Sequence, residues 1–361
     1  MPNLLGDAMT GARRHHTVPR VLLRRFSTQP RIDNPPLWNL DISNGKPSGT
    51  NVKSETVIRD FYRINNAARP LSPGWAEEIL SRIESDAAEA IRKLVEGIPL
   101  TVLERESMAF FLHVQRERTP TSRAWHAFLA ETILLEELKA KLSSPEFIQQ
   151  RFRDDNDPKS QAEVEQWRTE MLSAAEKGDI GVEPSQNREV AQIFLVADKI
   201  VPNLAHAMTW RSLRAPEGSG FICSDNPLNL YDPGAANRPK MHAGVGWVSS
   251  MAVEATLPLD PRVCLLVTPG PALWRIEDID AKRVTEINLR TYASAQQFIY
   301  GPSQQSVQQV RQAAKTGRAL VEAFRPRPPQ VTIFDELHEP KPPRVITHRP
   351  PRKSFIHPRK K

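Results

Sequence analysis

Phe221-Ile222-Cys223-Ser224-Asp225-Asn226-Pro227-Leu228 is the stretch on which the reading of this chain turns. Phe221, Ile222 and Cys223 form a short apolar run after Gly220, the pattern of a buried strand. Three short polar side chains follow at its exit, and Pro227 has no N–H to give to a sheet ladder. A rigid strand that ends in Ser-Asp-Asn can present reactive groups on a firm base. The same residues also make an ordinary turn, because Asp and Asn bond to their own backbone and Pro sets the next φ.

Downstream of Arg214 the sequence keeps this character, with short apolar runs at 221–223, 245–248, 252–257 and 263–267 between Gly and Pro. Asp280 is placed to cap a helix with Val284, Ile287, Asn288, Tyr292 and Ala295 on one side, and Phe298-Ile299-Tyr300 reads as a last strand. Ser303–Phe324 reads as helix. Upstream, the pattern is helical over about 75–213. Ile79, Ile83, Ala87, Ile91 and Leu94 recur at helical spacing, and Gly97 ends that helix. Thr101 and Glu104 form a capping box for the next. A third runs from Ser122 to about Lys141, and further helical pattern covers Pro145–Lys177 and Ser185–Leu213, with Pro202 expected to break or kink the last.

At the N-terminus, Thr17 is placed to cap a short helix in which Val18, Leu22 and Phe26 share a face. Leu37–Leu40 and Val57–Ile64 read as extended pieces, with a turn at Asn44-Gly45. The order strands, helices, strands defines an α+β fold: a helical middle section packed on a mixed sheet formed by N-terminal and C-terminal strands. The expected organisation is a flexible N-terminus (1–14), one interlocked domain (15–324) and a basic Pro-rich tail (325–361).

Composition narrows the function classes. The 361 residues hold a net charge of +7. Ten Lys or Arg and three acids lie in 325–361, a surplus of seven, which leaves 39 of each in the other 324 residues. The basicity therefore belongs to a tail with nine prolines, and the body is not a general nucleic-acid binder. No run reaches the length of a membrane span and no apolar leader precedes Arg13-Arg14, so a cytoplasmic protein is expected. Cys223 and Cys264 both lie in apolar runs, as two buried thiols would, and two cysteines without a CxxC pair exclude a thiolate zinc site. Phosphate-binding, nucleophile-elbow, metalloprotease and dinucleotide motifs are absent.

Several short motifs together resemble a bacterial family of unknown function, domain-of-unknown-function family 4238. They are the HxxP opening His16-Thr17-Val18-Pro19 with Leu23 and Phe26, Asp60-Phe61-Tyr62, Ile83-Glu84 and Gln115-Arg116-Glu117-Arg118-Thr119-Pro120. Trp210, Ser224-Asp225-Asn226-Pro227, Pro258-Leu259-Asp260-Pro261 and Ile287-Asn288 complete the set, over about residues 15–301. The resemblance implies a common fold and that these polar positions belong to one shared site. It implies no reaction, and it leaves the tail outside.

The candidate residues suit phosphodiester hydrolysis. In that reading Asp225, with Glu84, holds Mg²⁺ or Mn²⁺, His16 acts as general base or ligand, and Arg118 steadies the phosphate. Gln115, one helical turn from Arg118, and Ser224, Asn226 and Asn288 would bind substrate. The tail would concentrate nucleic acid nearby. The rival reading is a non-catalytic binding or interaction module whose polar residues form a structural network, Arg118 pairing with Glu84 or Asp225. A small-ligand sensor could use the same pocket without chemistry. An open cleft of converging carboxylates favours chemistry, and a buried, internally satisfied network favours structure.

Overall fold

The computed structural model describes residues 13–65, 72–177, 179, 185–234, 246–247 and 250–325. The first twelve residues and the tail beyond Arg325 lie outside the described residues, as do positions 245 and 248 of the apolar run 245–248.

The chain begins with β1 (Arg14–His16), then α1 (Arg20–Leu23) and a 3-10 turn (Arg24–Phe26). Of the segment expected to be flexible (1–14), Arg14 opens β1 and Arg13 pairs with Asp60 at 2.9 Å, while the others lie outside the described residues. Val18, Leu22, Leu23 and Phe26 are fully buried, as their spacing requires. Each such side chain contributes about 1.5–3 kcal/mol of burial. Thr17 does not cap α1. Pro19 occupies the cap position, and the Thr17 hydroxyl donates to the Thr56 carbonyl at 3.2 Å, because β1 pairs with β4 (Val57–Arg59) and draws the preceding backbone close.

Between these two strands lie β2 (Pro36–Asp41) and β3 (Pro47–Asn51), a hairpin closed where Gly45 takes φ 68°. The helical middle follows: α2 (Trp75–Glu96), α3 (Val102–Glu117), α4 (Pro120–Leu142), α5 (Pro145–Asp154), α6 (Gln161–Lys177), α7 (Gln186–Gln192) and α8 (Ala197–His206). Gly97 ends α2 in the left-handed region at φ 77°, and the Thr101–Glu104 capping box opens α3 with both of its bonds.

The expected helix over 185–213 is broken twice. α7 ends at Gln192, Val196 at φ 60° caps the start of α8, and Pro202 is carried inside α8. Residues Met208–Arg214 are not helix but strand β5, which pairs along its whole length with β9 (Val263–Pro269). Its residues pair with partners much later in the chain, from Arg214 with Val263 to Met208 with Pro269, so local periodicity could not choose the strand.

The strands divide among three sheets. One holds β1 and β4. A four-stranded sheet of order β3-β2-β11-β6 joins the N-terminal hairpin to β11 (Phe298–Gly301) and β6 (Cys223–Ser224). A five-stranded mixed sheet of order β10-β5-β9-β8-β7 holds β10 (Trp274–Asp278), β8 (Glu254–Pro258) and β7 (Asn229–Tyr231). β10 runs parallel to β5, and the other neighbours are antiparallel. Helices α9 (Ala281–Ser294), α10 (Gln304–Thr316) and α11 (Arg318–Phe324) close the described chain, with Asp280 and Ser303 as the caps of α9 and α10. This is the α+β class. The largest core cluster joins Val18 and Phe26 to Ile83, Phe111, Trp210, Leu257 and Tyr300. Cys223 and Cys264 are buried and free.

Candidate functional site

Arg118 organises the first group of polar residues. It is the C-cap of α3, its N–H donating to the Val114 carbonyl at 2.9 Å. Pro120 holds Thr119 in the extended region, and Thr119 caps α4 directly. With no loop between the two helices, the Arg118 Cα is fixed and its side chain runs inward, leaving the residue 1% exposed. Its Nη1 donates to Glu84 Oε1 at 2.6 Å, Nη2 to the His16 carbonyl at 2.6 Å, and Nε to the Tyr62 hydroxyl at 3.3 Å. Tyr62 in turn donates to the Arg118 carbonyl at 2.9 Å. Of the two partners expected for Arg118, Glu84 is the one found.

His16 lies at the end of β1, with Nδ1 3.1 Å from the Glu55 carbonyl. Burial, reinforced by Arg20, Arg118 and Arg14, lowers its pKa to about 4, so the ring is neutral at physiological pH. His15 is buried beside it. Its Nδ1 accepts the Tyr62 N–H at 2.7 Å, and its ring stacks on Tyr62 at 5.3 Å. Gln115 donates to the Thr17 carbonyl at 3.3 Å and leaves its buried Oε1 without a partner. Two turns before Glu84 on α2, Glu77 has a buried unpartnered oxygen, and burial raises its carboxyl to about 6, with Glu84 adding to the rise and Arg118 opposing it.

Asp225, Ser224, Asn226 and Asn288 form a second group. The run before them is buried as expected, but only Cys223–Ser224 is strand. Phe221 N–H donates to the Pro261 carbonyl and Ile222 N–H to Asn288 Oδ1, at 2.9 and 3.0 Å, so a loop and a side chain take the place of a ladder. Asn288 Nδ2 donates back to the Gly220 carbonyl at 2.8 Å. Asn226 donates from its N–H to Ser224 Oγ at 3.2 Å and from its side chain to the Ser294 carbonyl at 3.1 Å. Asp225 accepts three backbone N–H groups, from Gln296 at 2.8 Å, Gln297 at 2.7 Å and Phe298 at 2.9 Å. Burial raises its pKa, and these bonds oppose the rise. Asp225 thus ties the α9–β11 connection to the end of β6.

No hydrogen bond or ion pair among the described residues joins the Asp225 group to Arg118, His16 or Glu84. Tyr300 neighbours Asp225 and Glu55, and its phenol is raised well above its ordinary pKa by burial and by these two carboxylates. The Glu55 carboxylate itself accepts from Thr50 at 2.6 Å and Asn39 at 3.2 Å. Among the described residues, no group of three His, Cys, Asp or Glu is arranged to hold a metal. The proposed metal pair is accordingly divided: Glu84 faces Arg118, and Asp225 faces the 296–298 backbone.

A third group, on the opposite face of α3, was missed in the sequence. Glu117 Oε2 lies 2.5 Å from His126 Nε2 and accepts from Ser122 Oγ at 3.1 Å. Burial works against its charge, but His126, Arg116 and His113 hold the carboxyl down to about 2. His113 is 1% exposed, with neither ring nitrogen in hydrogen-bond geometry, and burial lowers its pKa while Glu117 and the Ile193 backbone oppose the fall. The readable signal was the i, i+4 pair His113 and Glu117 on a helix whose other face already carries Gln115 and Arg118.

An α+β protein with polar residues buried on both faces of one helix is the class that fold and site define. The chain matches, over residues 14–305, the profile of a family described as a protein of unknown function (DUF4238), and it belongs to that family. No curated protein and no solved structure matches it.

Proposed function

We propose that this protein is a non-catalytic binding module. In this reading the Arg118 cluster is a structural network, and the basic C-terminal segment engages nucleic acid. The observation that carries it is Arg118 itself: Nε, Nη1 and Nη2 all donate to internal acceptors, so no fork remains for a phosphate. Asp225 likewise has both carboxylate oxygens engaged by backbone N–H groups. Two shallow concavities among the described residues, beside α10 and between α3 and α8, include no residue of either cluster. The surplus of seven positive charges beyond Phe324 supports nucleic acid as the partner. Two free, buried thiols agree with a reducing, cytoplasmic setting.

One observation favours the second reading, a hydrolase using Mg²⁺ or Mn²⁺. Glu77, raised to about 6 and carrying an unpartnered oxygen, is a carboxyl that would titrate near neutral pH beside Glu84. The two readings separate in one experiment. Full-length protein and a chain ending at Phe324 are titrated with labelled DNA and RNA at several salt concentrations. The module reading expects salt-sensitive binding that the shortened chain loses, with a melting temperature unchanged. A shortened chain that binds as tightly as the parent rejects the tail as the binding element.

A further inference from the structure

We propose that β10 is a dimerisation edge, and that it pairs antiparallel with the β10 of a second copy of this chain across a two-fold axis at Ile276. β10 ends the five-stranded sheet, and no strand pairs with its outer side among the described residues. The Leu273 carbonyl accepts from Trp210 N–H, and Ile279 N–H donates to the Arg214 carbonyl. The N–H and C=O of one strand residue point to the same side, and successive residues alternate. Residues 273, 275, 277 and 279 therefore face β5, while Trp274, Ile276 and Asp278 direct their backbone groups outward. A regular, exposed row of this kind is a template for another strand.

The sequence of the edge, Trp274-Arg275-Ile276-Glu277-Asp278, specifies both partner and register. Antiparallel pairing centred on Ile276 puts Ile276 opposite Ile276 and Trp274 opposite Asp278 as hydrogen-bonded pairs, which uses all three outward residues. It also puts Arg275 opposite Glu277, twice, in the non-hydrogen-bonded positions where cross-strand side chains come closest. Sliding the pairing by one residue pair in either direction sets Arg275 against Arg275 or Glu277 against Glu277. The charge pattern thus rejects the neighbouring registers and selects a self-complementary one, as an isologous interface requires.

The surroundings suit such a contact. Ile276 is 37% exposed, and its Cδ1 approaches Gly97 at the end of α2. Ile98, which follows Gly97, and Leu273, which precedes β10, are also exposed, and Arg105 of α3 reaches the Leu273 carbonyl at 3.4 Å. An apolar rim therefore flanks the edge on its helical side, the composition of an interface core. Among the described residues, Glu277 has only a 3.7 Å contact with Arg211 to hold it, which leaves it available to Arg275 of the second copy.

Sedimentation equilibrium of the full chain tests this. The parent should reach twice the chain mass at micromolar concentration. Glu277→Arg and Arg275→Glu should each weaken self-association by about tenfold or more, since two attractive pairs become repulsive. Arg275→Glu leaves the Arg211–Glu277 contact in place, so its effect is not a loss of that pair. The double variant Arg275→Glu/Glu277→Arg restores opposite charges in the same register and should associate like the parent, with all four proteins folded by circular dichroism. A parent that stays monomeric at about 100 µM overturns the proposal. So do single variants that associate like the parent, or a double variant as weak as the singles.

Discussion

The Tyr62 hydroxyl donates to the main-chain carbonyl of Arg118 while the Arg118 guanidinium lies 5.5 Å from the centre of the Tyr62 ring. One residue thus satisfies the backbone at the α3–α4 junction and covers the charge that the junction buries. Nη1 and Nη2 of Arg118 donate to Glu84 and to the His16 carbonyl, so α2, α3, β1 and the segment after β4 meet at a single cation.

Glu84→Gln keeps the shape of the side chain and removes its charge. It should destabilise the protein by about 3 kcal/mol, at the low end for a broken buried pair because Glu84 is 24% exposed. Urea unfolding measures this. If the variant unfolds with the parent's midpoint and slope, Arg118 does not depend on Glu84 and the network is not structural.

Acid sensitivity should divide between two named groups. His16 ordinarily titrates at 6.5 and is lowered to about 4 in the fold. Between these values the unfolded chain takes up a proton that the folded chain refuses, so stability falls as pH falls. At about 1.4 kcal/mol per unit, discounted for partial exposure, the loss by pH 4 is about 2–3 kcal/mol. Glu77 acts in the opposite sense, because its folded value of about 6 lies above its ordinary 4.5. Its contribution is fully present below 4.5 and is lost as pH rises through 6. Glu77→Gln should therefore make the acid loss between pH 6 and 4.5 steeper, and His16→Asn should make it shallower. Unfolding midpoints at pH 7.5, 6 and 4.5 for the three proteins check this, other groups cancelling in the comparison. Equal slopes would show that neither group is shifted.

Asp225→Asn removes acceptor capacity from three backbone donors that no other described side chain serves. The amide oxygen can keep part of the set, so the cost should be about 1–3 kcal/mol. Nucleic-acid binding should be unchanged. A variant as stable as the parent would return Asp225 to the status of an ordinary turn residue.

We propose that residues 15–324 unfold as one unit, because the main core cluster draws on the N-terminal segment, the helical middle and both larger sheets. Far-UV circular dichroism and tryptophan fluorescence should report coincident transitions. Phe26→Ala should lower both together, by about 3–5 kcal/mol. Two separated transitions would divide the chain into independent units.

What could be read from the sequence was local. The Thr101–Glu104 box, the Asp280 cap, Gly97 and the Val18–Leu22–Phe26 stripe each depend on residues within a few positions of one another, and each is found. Met208–Arg214 was misread because its state depends on β9, whose pairing no local window contains. The polar residues were recognised as important, but not as two separate groups. Arg118 and Glu84 meet across 34 positions, and Asp225 finds its partners 71 to 73 positions later in backbone N–H groups, which carry no side-chain signature. His113, Glu117 and His126 were missed because they share a segment with Gln115 and Arg118, and a helix buried by polar residues on both faces has no simple stripe.

The most direct test of the central claim is incubation of the folded full chain with end-labelled DNA and RNA in Mg²⁺ and in Mn²⁺, beside Glu84→Gln and Asp225→Asn at a temperature where all three are folded. The account predicts that all three retain binding and that none releases shortened product. Product formed by the parent and lost in either variant, with binding and folding intact, would contradict it and make the polar residues catalytic.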